Sequence, residues 1–368
     1  MEKLKKPMLI VCGGFVILFI FMFIMASCSK KDYTSEEFVG FLVDKTKKYY
    51  ENHKEALPQI NGGKTSLSVA SIVEKQEDYI KDNTCSGSID VINNNGNYLY
   101  IPNINCTDGY VTQKLADYLL KKDLVTSVNG LYQYNDYYIY RGDNVDNFVI
   151  FNNQLYRILR INSDGTLRII ETDSVVKSNS KELEFKTKRR SSAKWDDRYN
   201  PEKNNASGFN DFVHENMNSR IKDTLESIYE NDFKDDAKAY IVPQNLCIGK
   251  RSLTETTNDG SIECANIIEN QYVGLLALYE YFNASLDADC IGITSNACAN
   301  YNYLTSMVST FWTITAVSDN TYDVYKIGNR IIDATANSTA TPKVVINISN
   351  EVRFSKGDGT QNNPYVID

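Results

Sequence analysis

The hydrophobic pattern is most uneven at the start of the chain. Residues 8–26, MLIVCGGFVILFIFMFIMA, form an uncharged apolar run of 19 residues, preceded by Lys3, Lys5 and Lys6. A bilayer-spanning helix needs about 20 such residues, and a globular helix rarely stays apolar on every side for so long. The basic flank favours the cytoplasmic side, so the pattern predicts export of everything that follows. Helical periodicity comes next. Over 35–52, Phe38, Leu42, Val43 and Tyr49 recur at helical spacing, Ser35 is placed to cap, and Glu36 and Glu37 suit an N-terminus. Pro58 and Gly62-Gly63 end that pattern, and 67–80 predicts a second, shorter amphipathic helix.

Alternation replaces periodicity after Cys85. SIDVINNNGNYLYIPNIN, centred on Asn95-Gly96, predicts a hairpin with a tight turn. QKLADYLLKK predicts a short helix, and Asn129-Gly130 a turn. From Tyr137 strands dominate: 148–151, then 155–161 after Asn152-Asn153, then 166–170 after Ser163-Asp164-Gly165, which is a β-meander. Residues 177–208 are polar and read mainly as loop. A helix is predicted over 210–229, with Phe212, Met217, Ile221, Leu225 and Ile228 on or near one face, and a short helix near 273–282. Strands follow over 310–315, 321–327 and 343–348, with no internal repeat. The predicted class is α+β. It comprises a membrane anchor (1–31), a small helix-plus-hairpin domain (32–112), a connector (113–136), and a larger mixed domain with an antiparallel sheet (137–368).

The cysteines refine this picture. Cys12 lies in the apolar run and Cys28 ends it, leaving Cys85, Cys106, Cys247, Cys264, Cys290 and Cys298. Six cysteines allow 15 pairings. Spacing favours sequential ones, Cys85–Cys106 across the hairpin, Cys247–Cys264 around an Asn-Asp-Gly turn, and Cys290–Cys298 closing CIGITSNAC. Disulfides persist outside the cytosol, which agrees with export. Zinc would want CxxC spacing or histidine partners, and His53 and His214 lie far from the cysteines. The anchor has three readings: a transmembrane helix, a lipoprotein signal in which Met25-Ala26-Ser27-Cys28 acts as a lipobox and Cys28 is acylated, or a cleaved secretory signal.

The net charge of −8 argues against non-specific nucleic-acid binding. The 25 tyrosines and many asparagines suit a surface making polar and stacking contacts, or an AT-rich coding sequence. Trp195-Asp196-Asp197-Arg198-Tyr199 is the sharpest candidate cluster, with Trp195, Asp197 and Arg198 as ligand-binding residues for a sugar or peptide. The alternative is that Trp195 anchors a loop in the core while Asp–Arg pairing fixes it. Trp312 reads as core, and Asp164-Gly165-Thr166 and Asp358-Gly359-Thr360 read as turns rather than calcium loops. Arg141-Gly142-Asp143 reads as a strand-end turn. No phosphate loop, catalytic set, cofactor motif or metal motif is recognisable.

Several motifs of 137–368 in their order carry a resemblance: IYRGDN, FVIFNNQLYRILRINSDGTLRII, KWDDRYN, GFNDF, LCIGKRS, YVGLLALYEYFNAS, FWTIT and SKGDGTQNNPYVID. They resemble an uncharacterised family of exported, membrane-anchored bacterial surface proteins of the gut Firmicutes type. The resemblance implies a C-type-lectin-like or formylglycine-generating-enzyme-like C-terminal domain and no established activity. Region 33–112 more weakly resembles minor pilin-like proteins, without the prepilin Gly-Phe-Thr start. Three functions are therefore expected in turn: an anchored surface protein binding glycan or protein, without catalysis; a structural subunit of a pilus-like or cell-surface assembly; or an exported enzyme acting on glycan or wall polymer. Oligomeric state stays open.

Overall fold

The computed structural model describes residues 32–172, 176–177, 184–185, 190–307 and 309–367. The apolar run over 8–26, Cys12 and Cys28 lie outside the described residues. Among the described residues no helix is long and apolar enough to cross a membrane.

The fold is mostly β, which corrects the α+β expectation and its lectin-like mixed domain. Among the described residues only Ser35–Asn52 and Arg220–Asp232 are helices of appreciable length; Val69–Ile72, Leu115–Lys122, Asp235–Tyr240 and Leu278–Ala284 are short. Two of the three overpredicted helices yield to a distant strand partner and one to a local turn. Within 67–80, Leu67 pairs with Ile89 as Lys64–Ser68 joins the hairpin as a third strand, leaving one helical turn at Val69–Ile72. Within 210–229, Glu215 and Asn216 take positive φ (49° and 64°) and fold Val213–His214 back on Met217–Asn218. The helix therefore starts only at Arg220, capped by the Ser219 hydroxyl accepting from the Lys222 N–H at 3.3 Å. Within 273–282, Gly274 and Val345 exchange two backbone hydrogen bonds of 2.9 Å, which holds the chain extended until Leu278.

In the N-terminal unit the cap of Ser35–Asn52 is Thr34, one residue earlier than expected. Its hydroxyl accepts from the Glu37 N–H while the Glu37 carboxylate accepts from the Thr34 N–H at 2.9 Å. Phe38, Val39 and Leu42 are fully buried against the hairpin, each contributing about 1.5–3 kcal/mol. The hairpin Cys85–Asn94 and Asn97–Cys106 turns at Asn95 and Gly96, both at positive φ, and its register puts Cys85 opposite Cys106, where a disulfide closes the open end.

The large unit is organised by a ten-stranded sheet. Its path runs Ile241–Val242, Val345–Ile348, Leu167–Glu171, Gln154–Ile161, Phe148–Phe151, Tyr365–Ile367, Arg353–Lys356 and Gln113–Lys114, with Tyr137–Arg141 and then Gly130–Tyr134 branching from Gln154–Ile161. All pairings are antiparallel except Tyr365–Ile367 beside Phe148–Phe151. The central strands are covered on both faces, so they read as near-continuous apolar runs. A second sheet of Phe311–Ala316, Asp323–Ile327 and Ile331–Thr335 packs into the same core through Phe311, Trp312 and Tyr325.

Residues 113–136 are built into this unit: Leu115, Ala116, Leu119 and Leu131 share its core. The two units also touch. Leu99 and Ile101 pack on Ala239, and the Tyr240 hydroxyl donates to the Tyr100 carbonyl at 3.1 Å.

Candidate functional site

Trp195 is fully buried, its ring 5.9 Å from Trp312 and 6.0 Å from Phe212. It offers no face to a ligand. Asp196, also fully buried, accepts from Arg198 Nε through both oxygens (3.1 and 3.0 Å) and from the Phe209 N–H at 2.9 Å. Gly208 must be glycine, since a Cβ would fall 2.5 Å from the Asp196 carbonyl oxygen. Asp197 faces outward and pairs with Arg220 Nε at 3.0 Å and Lys194 Nζ at 3.4 Å, the Arg220 hydrogen bond chiefly holding its carboxyl below the usual range. Trp195, Asp197 and Arg198 thus point to core, rim and loop interior rather than to one surface.

The other motifs are local. Asp164 Oδ1 accepts from the Thr166 N–H and hydroxyl (3.0 and 2.6 Å), and Asp358 Oδ1 accepts from the Thr360 N–H at 3.0 Å. Arg141 spends its guanidinium on the Ser285 carbonyl, at 3.2 and 2.7 Å. No group of three His, Cys, Asp or Glu side chains suited to a metal occurs among the described residues.

The cysteines pair as spacing implied: Cys85–Cys106, Cys247–Cys264 and Cys290–Cys298. The last of these frames a groove of about 670 Å³ between the 290–298 loop and the hairpin of Asp323–Ile327 and Ile331–Thr335.

Each wall has a local reason. The loop is held shut by its disulfide and by Ser295 Oγ donating to the Asp289 carbonyl at 2.6 Å. Buried Asn302 pins it to the helix Leu278–Ala284, donating to the Tyr281 and Cys298 carbonyls at 2.9 and 2.8 Å. Opposite, Ile327 pairs with Ile331 across the turn Gly328-Asn329-Arg330, and Ile331–Thr335 is the edge of its sheet.

The floor is apolar, from Ile293, Cys298, Ala299, Ile331 and Ile332. The rim carries Thr294, Asn296, Asn329, Arg330 and Asp333, none of whose side chains makes a hydrogen bond or ion pair with another described residue. A cation, a carboxylate, two amides and a hydroxyl therefore line an open, rigidly framed groove in the size range of ligand sites.

Sequence reasoning identified the disulfide loop but missed its opposite wall. The signal was present in VYKI-GNR-IIDAT, two β-prone runs around a Gly-Asn turn. What it could not supply was the neighbour across the groove.

No protein-family model matches this sequence, and neither a curated protein nor a solved structure matches it.

Proposed function

We propose that this chain is an anchored extracellular binding protein whose groove between the 290–298 loop and the Ile331–Thr335 strand takes glycan, without catalysis. The observation that carries the reading is the rim: Arg330, Asp333, Asn296, Asn329 and Thr294, whose side chains have no hydrogen-bond or ion-pair partner among the described residues, around an apolar floor. Sugars present hydroxyls to amides and carboxylates and C–H faces to apolar surface, and the disulfide-closed loop limits how much backbone must order on binding. Three disulfides support an oxidising compartment, and the apolar run over 8–26 behind basic residues supports attachment to the membrane with the bulk of the chain outside.

One feature favours a second reading, a protein ligand. Among the described residues Ile331–Thr335 has a strand partner on one side only, so an extended peptide would add to its other edge. The apolar face of Ser35–Asn52 is buried on its own hairpin, which withdraws the main cue for a pilus-like assembly.

The test is a glycan-array screen of the full-length oxidised protein beside Arg330→Ala and Asp333→Asn. Glycan binding lost in both variants, with melting temperature unchanged, supports the groove. Binding unaffected by either variant moves the site elsewhere, and a blank from folded protein overturns the glycan reading in favour of the peptide one.

A further inference from the structure

A second concavity, of about 280 Å³, opens beside the sheet and shares no lining residue with the groove. Tyr137, Arg160, Asn162, Ser163, Asp259, Gly260, Cys264 and Tyr279 line it. One of these residues, Arg160, belongs to a charge cluster that does not balance. Glu280 pairs with Arg168 through both oxygens, at 2.5 and 3.0 Å, and lies 3.5 Å from Arg160 Nη1. The Glu280 and Arg168 side chains are 5% and 6% exposed. Two guanidinium groups thus face one carboxylate, which leaves one positive charge without an anionic partner in a largely dry setting. Uncompensated buried charge is costly, and Arg160 is where the cluster meets solvent, at 20% exposure.

Arg160 is held ready rather than free to swing away. Its Nε donates to Asn162 Oδ1 at 2.7 Å, its Nη1 donates to the Tyr279 hydroxyl at 3.0 Å, and its guanidinium lies 5.5 Å from the Tyr137 ring centre. Arg160 Nη2 has no partner among the described residues, and it is not a buried atom. The same holds for the Tyr137 hydroxyl. Burial, chiefly, pushes that phenol up to about 12, so at neutral pH it is a hydrogen-bond donor. Two donors, one cationic, therefore line one cleft in which a carboxylate would complete the charge balance.

The opposite wall narrows the ligand. Asp259 is exposed, and hydrogen bonds from the Ser261 hydroxyl and N–H hold its carboxyl below the usual range. It makes no ion pair with Arg160. A bare anion would gain at Arg160 and lose at Asp259. A molecule carrying a carboxylate at one end and hydroxyl donors at the other satisfies both, with the Tyr137 and Tyr279 rings as walls. We infer that this cleft is a binding site for an acidic sugar of the uronic-acid class, its carboxylate on Arg160 and Tyr137 and its hydroxyls toward Asp259. The inference is independent of the groove.

The test is calorimetric titration of the full-length oxidised protein with galacturonate, galactose and acetate. Galacturonate should bind at least about tenfold more tightly than galactose, the size of one charge-assisted contact, and more tightly than acetate. Arg160→Gln should abolish the preference over galactose, and Tyr137→Phe should weaken galacturonate severalfold at unchanged melting temperature. Arg168 stays paired with Glu280 in both variants, and melting curves check their folding. Equal affinity for galacturonate and galactose, no binding of galacturonate, or a preference that survives Arg160→Gln overturns the site. Acetate binding as tightly as galacturonate overturns the sugar assignment. Arg330→Ala alters the groove and should leave the Arg160-dependent preference for galacturonate over galactose in place, so the two sites fail separately.

Discussion

Arg251 and Glu263 form a bidentate ion pair, Nε to Oε1 and Nη2 to Oε2 both at 2.9 Å, with neither side chain exposed to solvent. Arg251 also donates to the Thr257 carbonyl at 2.7 Å and accepts the Tyr325 hydroxyl on its own carbonyl at 3.0 Å. The pair therefore ties the loop of the Cys247–Cys264 disulfide to the second sheet. Removing one partner strands a buried charge. Glu263→Gln should cost about 3–5 kcal/mol, and replacing both residues with methionine should recover most of it. Urea denaturation of the two variants checks this; equal losses would show that the cost lies in packing rather than in the lone charge.

Trp195 and Asp197 are close in sequence and opposite in role. Trp195→Ala should cost about 3–5 kcal/mol, the usual consequence of emptying a large buried site. Asp197→Asn should stay within about 0.5 kcal/mol, since its ion pairs lie at the surface. Thermal melts of both variants, with glycan binding as a second readout, distinguish core from ligand contact. A stable Trp195→Ala variant that loses binding would contradict this assignment.

The disulfides should differ in what they protect. Cys85–Cys106 closes a separation of 21 residues on a small core, so replacing both cysteines with serine should cost about 3 kcal/mol by loop-closure entropy. Cys290–Cys298 spans 8 residues and frames the groove. Its loss should loosen the rim, so ligand affinity should fall well before the large core melts. Parallel measurements of melting and binding on each double-serine variant check the contrast.

Two buried carboxyls should make opposite contributions to the pH dependence of stability. For Glu280, burial raises the carboxyl, but Arg168 and then Arg160 outweigh it, and the group sits below its ordinary value. Its contribution is present above the unfolded carboxylate value, about 4.3, and is lost as pH falls through the lower folded value. For Glu171, burial outweighs Arg190, and the group sits above its ordinary value. Its contribution is present in acid and is lost as pH rises through the folded value. Glu280→Gln should therefore flatten the acid limb of stability, while Glu171→Gln should steepen it. Urea midpoints measured between about pH 3 and 6 decide the matter; identical slopes in both variants would contradict it.

Local chemistry was legible in the sequence wherever one short segment settles it. The Asn95-Gly96 turn, the Asn152-Asn153 turn and the meander it opens follow from turn residues that accept positive φ between short β-prone runs. Pairing of Cys290 with Cys298 follows from a loop too short to reach elsewhere easily. Helix starts were less legible, because Leu67 and Phe212 fit a helical face and a strand or loop position equally well, and only a partner such as Ile89 decides between them.

The sequence by itself determined the apolar run, the turns, and the sequential cysteine pairs, because each rests on residues near one another along the chain. Only the tertiary structure decided that the fold is mostly β, that Trp195 belongs to the core, and that Arg330 and Asp333 face Thr294 and Asn296 across a groove. The same holds for the unbalanced charge at Arg160, where Glu280 and Asp259 approach from segments about a hundred residues away. Burial, charge balance and concavity belong to pairs of distant segments, and no local pattern encodes which segments meet.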